Sequence, residues 1–244
     1  MPLGIRLTAG QLLYDGMSLF DKLDVGLAAG RITCLLGPSG IGKSSLLRLL
    51  AGLVPPGDSR VTCDDGKPLA GRVALMDQRD LLLPWLNVIE NVTLGSRLRG
   101  EPVDQARAEM LLQEVGMADR AQAMPRSLSG GMRQRVALAR TLMEDRPVVL
   151  MDEPFSSLDA ITRFRLQALA ARLLAGRTVL LVTHDPVEAL RLGHHIHVMA
   201  GRPARLDAPL TPPGEAPRDV TAPALLDLQR ELMARLGAAD VEAA

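Results

Sequence analysis

Three short stretches of the chain carry residue types at spacings that could do chemistry. Gly37-Pro38-Ser39-Gly40-Ile41-Gly42-Lys43-Ser44, followed by Ser45, has the form Gly-x-x-x-x-Gly-Lys-Ser. Glycines let a backbone wrap phosphates closely, so that several N–H groups aim inward. Lys43 can bring a formal charge to the β- and γ-phosphates of ATP, and the Ser44 hydroxyl can ligate Mg²⁺. Asp152-Glu153 ends the apolar run Val148–Met151. An aspartate delivered to the end of a sheet can hold the hydration shell of magnesium, and the glutamate beside it can take a proton from an attacking water. Leu128-Ser129-Gly130-Gly131-Met132-Arg133-Gln134-Arg135 opens a helical pattern. There a serine hydroxyl, glycine N–H groups and a helix dipole make a second anion site, remote from the first. Each stretch also has a bland reading: a glycine-rich turn, a solvated acidic turn after a strand, and a capped helix start.

The elements around these stretches favour the chemical readings. Ile32–Leu36, Val148–Met151 and Thr178–Val182 are continuous apolar runs, the pattern of strands covered on both faces. The first glycine-rich stretch lies between such a strand and a helix expected over Lys43–Ala51, ending at Gly52, which is where a P-loop must sit. Residues 3–36 read as antiparallel strands with turns at Asp15-Gly16 and Ala29-Gly30; residues 55–72 read as turns between short strands. From about Val88 to Met143 the pattern is helical, with stripes at Ala106, Met110, Leu111 and at Met132, Val136, Ala139, Met143. A further helix near Asp159–Ala175 aligns Leu166, Leu169, Ala170, Leu173 and Leu174, and Asp185-Pro186 starts another that Gly193 stops. Pro209–Pro223 holds five prolines and reads as an extended surface segment. Ala224–Leu236 reads as an amphipathic helix on Leu225, Leu228, Leu232 and Leu236, packed against the core. Alternating strands and helices indicate an α/β fold with a mainly parallel sheet. A P-loop alone leaves kinases, GTPases, motors and transporters open.

Bulk composition narrows the setting. The 244 residues suffice for a large buried core, and 28 basic against 28 acidic residues give no net field for nucleic acid or anionic lipid. Hydrophobic residues make up 47% and aromatics 2%, so the core is aliphatic. No apolar run reaches the ~18 residues that span a bilayer, and the amino terminus lacks the pattern of a signal peptide. Two cysteines, Cys34 and Cys63, suit a reducing cytoplasm better than a disulfide framework.

With Leu128–Arg135 opening a helix, the chain resembles the ABC ATPase family, whose signature is an LSGGQ-like segment, over about residues 3–205. The resemblance implies a P-loop NTPase (RecA-like) core, an N-terminal antiparallel β-subdomain and an inserted helical subdomain at about 88–145. Residues 1–244 then form a single ATPase domain, with a tail at about 207–244. It also implies two copies placed head to tail, each signature (Ser129, Gly130, Gly131, with Gln134) closing on ATP held by the other copy's P-loop. Gln78 in Met76-Asp77-Gln78-Arg79 resembles the Q-loop, a γ-phosphate sensor and magnesium ligand beside Ser44 and Asp152. Ser156-Ser157-Leu158-Asp159 resembles the D-loop, and His184 in Thr183-His184-Asp185 the switch histidine, which would act with Glu153. Tyr14 stands where the family places an aromatic for adenine stacking, a contact worth about 1–3 kcal/mol. Ser45 replaces the usual threonine, Met132 the usual glutamine, and Arg79 follows Gln78 where an acid is common.

Leu81-Leu82-Leu83-Pro84-Trp85-Leu86-Asn87-Val88 and Glu90-Asn91-Val92 resemble a segment of importers for nitrate, sulfonates, taurine and pyrimidine precursors of thiamine. The partners implied are a transmembrane permease and, through it, a solute-binding protein, with no nucleic acid. The location implied is the cytoplasmic face of the inner membrane. Export or lipoprotein release stays open, as does a non-transport clamp on nucleic acid or ribosomes. The interval from P-loop to signature is too short for the coiled-coil insertions of chromosome-maintenance members, and the chain too short for the β-domain of sugar-importer ATPases. Trp85, the only tryptophan, has two readings: a surface for the permease, or a plug between subdomains whose removal costs ~3–5 kcal/mol.

Overall fold

Strands that read as unbroken apolar runs must have both faces covered, and the fold covers them. The computed structural model describes residues 2–14 and 17–243, so the expected Asp15-Gly16 turn lies outside the described residues. Strands β1 (Ile5–Tyr14) and β2 (Met17–Leu27) pair antiparallel, with Ile5 opposite Leu27. They lead into β3 (Ile32–Leu36), the P-loop and helix α1 (Lys43–Leu50). Strand β4 (Arg60–Cys63) joins β1 to complete a small sheet in the order β2-β1-β4. The larger sheet starts with β5 (Val73–Met76). A helical insertion follows: α2 (Val88–Val92), α3 (Leu94–Leu98), α4 (Gln105–Glu114) and α5 (Gly130–Met143). The chain then runs through β6 (Val148–Asp152), α6 (Ala160–Leu173), β7 (Thr178–Val182), α7 (Pro186–Leu192), β8 (His195–Ala200), β9 (Arg205–Leu206) and α8 (Pro223–Ala243). The sheet order is β5-β6-β7-β3-β8-β9, parallel except for the β8–β9 edge.

This sheet is a partition between two cores. Cys34, Leu36, Val149, Met151, Val179 and Leu181 face one core with the helical insertion, α6, α7 and α8. Leu35, Val148, Leu150, Leu180 and Val182 face the other with α1 and the small sheet. Successive residues of a strand point to opposite faces, so two apolar environments require the unbroken runs seen in the sequence. Cys34 and Cys63 are buried and free.

Three expectations change in detail. In α4 the buried face is Ala108, Leu111 and Leu112, continued by Val115, while Ala106 and Met110 are exposed. Contact with α2 and α5 selects that face from two that an apolar-rich helix offers. The proline-rich segment is pinned inward: Leu210 bridges Ile196, and buried Arg218 donates to the carbonyls of Leu190, Gly193, Pro212, Pro213 and Gly214. Trp85 does not plug the subdomains, being 69% exposed. Its turn is built from below by fully buried Asn91, whose amide accepts from Leu83 N and donates to the carbonyls of Leu83, Leu86 and Asn87. Helix α8 packs as expected through Leu225 and Leu232, with Leu228 and Leu236 partly buried, and runs on to Ala243. Among the described residues, no helix is long and apolar enough to cross a membrane.

Candidate functional site

Parallel strands send all their following loops to one edge of the sheet, and that edge gathers the site. The P-loop leaves β3, Gln78 follows β5, Asp152 ends β6 with Glu153 next, and His184 follows β7. The register sets them level: Met76 lies beside Met151, Asp152 beside Val182, and Val182 beside Leu35. A cavity of about 490 Å³ there is lined by Ser39, Gly40, Gly42, Lys43, Ser44, Ser45, Arg48, Gln78, Asp152 and Glu153.

Local constraints shape the cradle. Gly37 has φ +143°, and a Cβ there would lie 2.4 Å from the carbonyl oxygen of Met199, so β8 itself demands glycine. Lys43 is buried and its ammonium donates to the carbonyls of Gly37 and Pro38 at 2.6 and 2.7 Å. Burial pushes its pKa down, while Glu153 and Asp152 oppose the shift. Pro38 and Ile41 complete the loop, Ile41 with its side chain in the core. Asp152 is 5% exposed. Burial raises its carboxyl above the usual range, and the hydrogen bond from the Ser44 hydroxyl works against that. A buried carboxylate beside a serine hydroxyl is a hard-oxygen set that fits Mg²⁺.

Glu153 has its backbone in the left-handed region, φ +48°. The surroundings fix it there: its N–H donates to Val182 O at 2.9 Å, and its carbonyl accepts from Gln134 Nε2 and Ser156 Oγ, each at 3.0 Å. Its Oε2 lies 3.3 Å from Gln78 Nε2, which donates to it, and 3.2 Å from His184 Nδ1. Gln78 and His184 therefore converge on one oxygen of Glu153.

Ser129 caps α5 by accepting from Met132 N at 3.3 Å. Ser129 and Gly130 are exposed, and none of Ser129, Gly130 and Gly131 lines the P-loop cavity. A Cβ on Gly131 would meet Ser157 O at 3.2 Å, which brings the helix start against the turn carrying Asp159. Asp159 caps α6 by accepting from Thr162 N and is exposed. Gln134, expected to face nucleotide, differs. It is 5% exposed, and its amide is engaged within the chain by Glu153 O, Ser156 Oγ, Ser157 N and Ser157 Oγ. It ties the signature helix to the turn after Glu153. Tyr14 ends β1, and its side chain lies outside the described residues.

Two residues went unread in the sequence. Arg48 stands one helical turn beyond Ser44 on α1, lines the cavity and pairs with Asp77 at 3.6 Å; its i,i+4 spacing was the available signal. Glu188, on α7 beneath His184, is 4% exposed, and its Oε1 has no hydrogen-bond partner. Burial, with Asp185 nearby, pushes its pKa up to about 8, against Arg163, Thr183 and Gln167. The folded chain therefore holds an extra proton between the ordinary value of 4.5 and about 8. The stability this group contributes is full below that window and is lost as pH rises through it. Glu188→Gln mimics the protonated acid, so its melting temperature should lose that fall and exceed the wild type's above pH 8; parallel melting curves from pH 5 to 9 would contradict this.

The ABC transporter family pattern matches residues 20–156 of this chain. An uncharacterized ABC transporter ATP-binding protein of Haemophilus influenzae is 44% identical over 241 residues, 96% of this chain and 98% of that one. An aliphatic sulfonates import ATP-binding protein of Burkholderia cenocepacia is 42% identical over 226 residues, 91% of this chain and 83% of that one. Among solved structures, a dimeric ATP-binding cassette in a post-hydrolysis state, bound to ADP and Pi, superposes with TM-score 0.75 at 27% identity, over 86% of this chain and 99% of that one. A glycine-rich loop before Lys43, Asp152 and Glu153 at the end of β6, His184 after β7 and a capped Ser-Gly-Gly helix stand together in one α/β frame, and the chain belongs to the ABC transporter ATP-binding family.

Proposed function

We propose that this chain, acting as one ATPase unit over residues 1–244, is the ATP-hydrolysing subunit of an ABC importer for a small solute. One observation carries the chemistry: Glu153, which lines the P-loop cavity with Gln78, meets both Gln78 Nε2 and His184 Nδ1 through its Oε2. The loop Gly37–Gly42 and Lys43 hold the phosphates of ATP. Glu153 takes the proton of the water that attacks the γ-phosphorus, with its carboxylate oriented by His184 and Gln78. Mg²⁺ would be held by Ser44 and Asp152, with Gln78 alongside, and would supply charge neutralisation at the phosphates. Ser129 and the N–H groups opening α5 form an exposed anion site with no phosphate cradle of its own. In a head-to-tail pair, each copy's α5 closes over ATP in the other, which answers why one chain carries two such sites.

The family places a permease against the ATPase, and the relatives named for sulfonate import support import as the direction. The subunit then works at the cytoplasmic face of the inner membrane, and reaches a solute-binding protein only through the permease. Trp85 and Leu81, 69% and 49% exposed, give the loop behind Gln78 an apolar surface suited to a permease helix. Trp85→Ala should keep the melting temperature and basal hydrolysis of the isolated subunit but reduce co-purification of the permease from detergent-solubilised membranes. Nucleic acid or ribosomes recovered in place of a permease would overturn the transport reading.

A further inference from the structure

A second cavity lies between α8 and the β8–β9 edge. Its volume is about 480 Å³, within the range of small-molecule sites, and it shares no residue with the P-loop cavity. Small apolar side chains make its walls: Val198 and Ala200 from β8, Leu206 from β9, Ala238 and Ala239 from α8. Where α8 carries Leu225 and Leu232 its side chains fill the core, and where it carries two alanines it leaves room.

Four charged side chains also line the cavity, Arg205, Asp207, Arg235 and Glu242. Two of them are already engaged. Arg235 donates to Asp207 Oδ2 and Ala208 O, each at 2.6 Å, and also to Glu231. Asp207 accepts that bond and, through Oδ1, another from Val198 N at 2.7 Å. Arg205 and Glu242 remain, both exposed. A Cβ on Gly201 would meet Glu242 Oε2 at 3.5 Å and Arg205 Nε at 3.7 Å, so the two opposite charges flank one small space. Gly201 has φ +81°, and a backbone in that region keeps the space clear of a side chain. Arg205 and Glu242 form no ion pair with each other, and among the described residues neither side chain has another partner.

We propose that this cavity binds a small zwitterion with an aliphatic body, the chemistry of an aliphatic α-amino acid. Its carboxylate accepts from the Arg205 guanidinium, its ammonium donates to the Glu242 carboxylate, and its side chain lies on the alanines of α8. A simple anion would leave Glu242 uncompensated beside it, and a simple cation would leave Arg205 so. The two charges together select a molecule that carries both. The site uses none of the residues that hold ATP, so it stands or falls apart from the ATPase reading.

Isothermal titration of the full chain with L-leucine tests this. Binding should saturate at one molecule per chain, with Kd on the order of 0.1 mM. Isocaproate lacks the ammonium and isoamylamine lacks the carboxylate; each should bind at least about tenfold more weakly, because each leaves one charge of the site unmet. Glycine, without the aliphatic body, should be weakened at least as much. Arg205→Gln and Glu242→Gln should each raise Kd for leucine about tenfold or more, with Tm of the free chain within about 2 °C of wild type, since both positions are exposed. Ala238→Leu fills the cavity but leaves both charges, and should weaken leucine in the same range. Absence of saturable binding up to about 10 mM would overturn the site. Isocaproate or isoamylamine binding as tightly as leucine would overturn the zwitterion, and leucine binding unchanged in both charge variants would remove it from this cavity.

Discussion

Glu153→Gln should still bind ATP while its hydrolysis falls by about 10²–10⁴, the usual contribution of a general base. The substitution is isosteric, and its backbone bonds, donated to Val182 O and accepted from Gln134 and Ser156, do not involve the carboxylate. Gln78 Nε2 can still donate to an amide oxygen where it now meets Oε2. Lys43 and the P-loop lie untouched, so equilibrium dialysis should find ATP affinity near that of wild type. With the proton acceptor gone, ATP persists at the interface, and a dimer should accumulate on size exclusion with ATP and not with ADP. Hydrolysis at the native rate would remove Glu153 from the base role.

Mixing two inactive subunits should restore activity. Ser129→Arg places a large cation where a second copy's γ-phosphate must dock, yet leaves its own cradle intact. Lys43→Ala removes the buried ammonium proposed to hold the phosphates and leaves its own signature intact. In a head-to-tail pair of these variants one composite site carries both lesions and the other carries neither. Random pairing makes half the dimers mixed, each with one intact site of two, so the mixture should recover up to roughly a quarter of wild-type activity. Each variant alone should be nearly inactive. If P-loop and signature instead served ATP within one chain, every site would carry a lesion and mixing would restore nothing.

Much of this was legible in the sequence because it is local. Ile32–Leu36, Val148–Met151 and Thr178–Val182 announced a sheet buried on both faces. Gly37–Ser44, Ser129 and Asp185 announced a cradle and two caps, since loop geometry and capping depend on a few neighbouring residues. What stayed hidden depends on contacts between distant segments. Gln134 sits in the signature, but its amide turns inward because Glu153 O and Ser157 come to meet it. Glu188 went unread because only packing around α7 withdraws this first-turn acid from water. The stripe on α4 was misread for the same reason: Ala106 and Met110 fit one helical face as well as Ala108 and Leu112 fit another, and α5 decides between them. Arg218 could not be foreseen at all, since its partners are five carbonyls gathered by the fold.

The left-handed backbone at Glu153, φ +48°, sets selection for persistence against selection for work. A side chain there is held in a conformation that glycine adopts freely, and release from it is worth about 1 kcal/mol or more. On the role proposed for Glu153, loss of its carboxylate is thus among the cheapest routes to a sturdier protein. A lineage freed from the need to hydrolyse ATP, or a laboratory library screened only for heat resistance, should drift at this position toward glycine or asparagine. Glutamate remains where turnover itself is under selection, so the residue at position 153 in any descendant of this chain records whether that descendant still has to work.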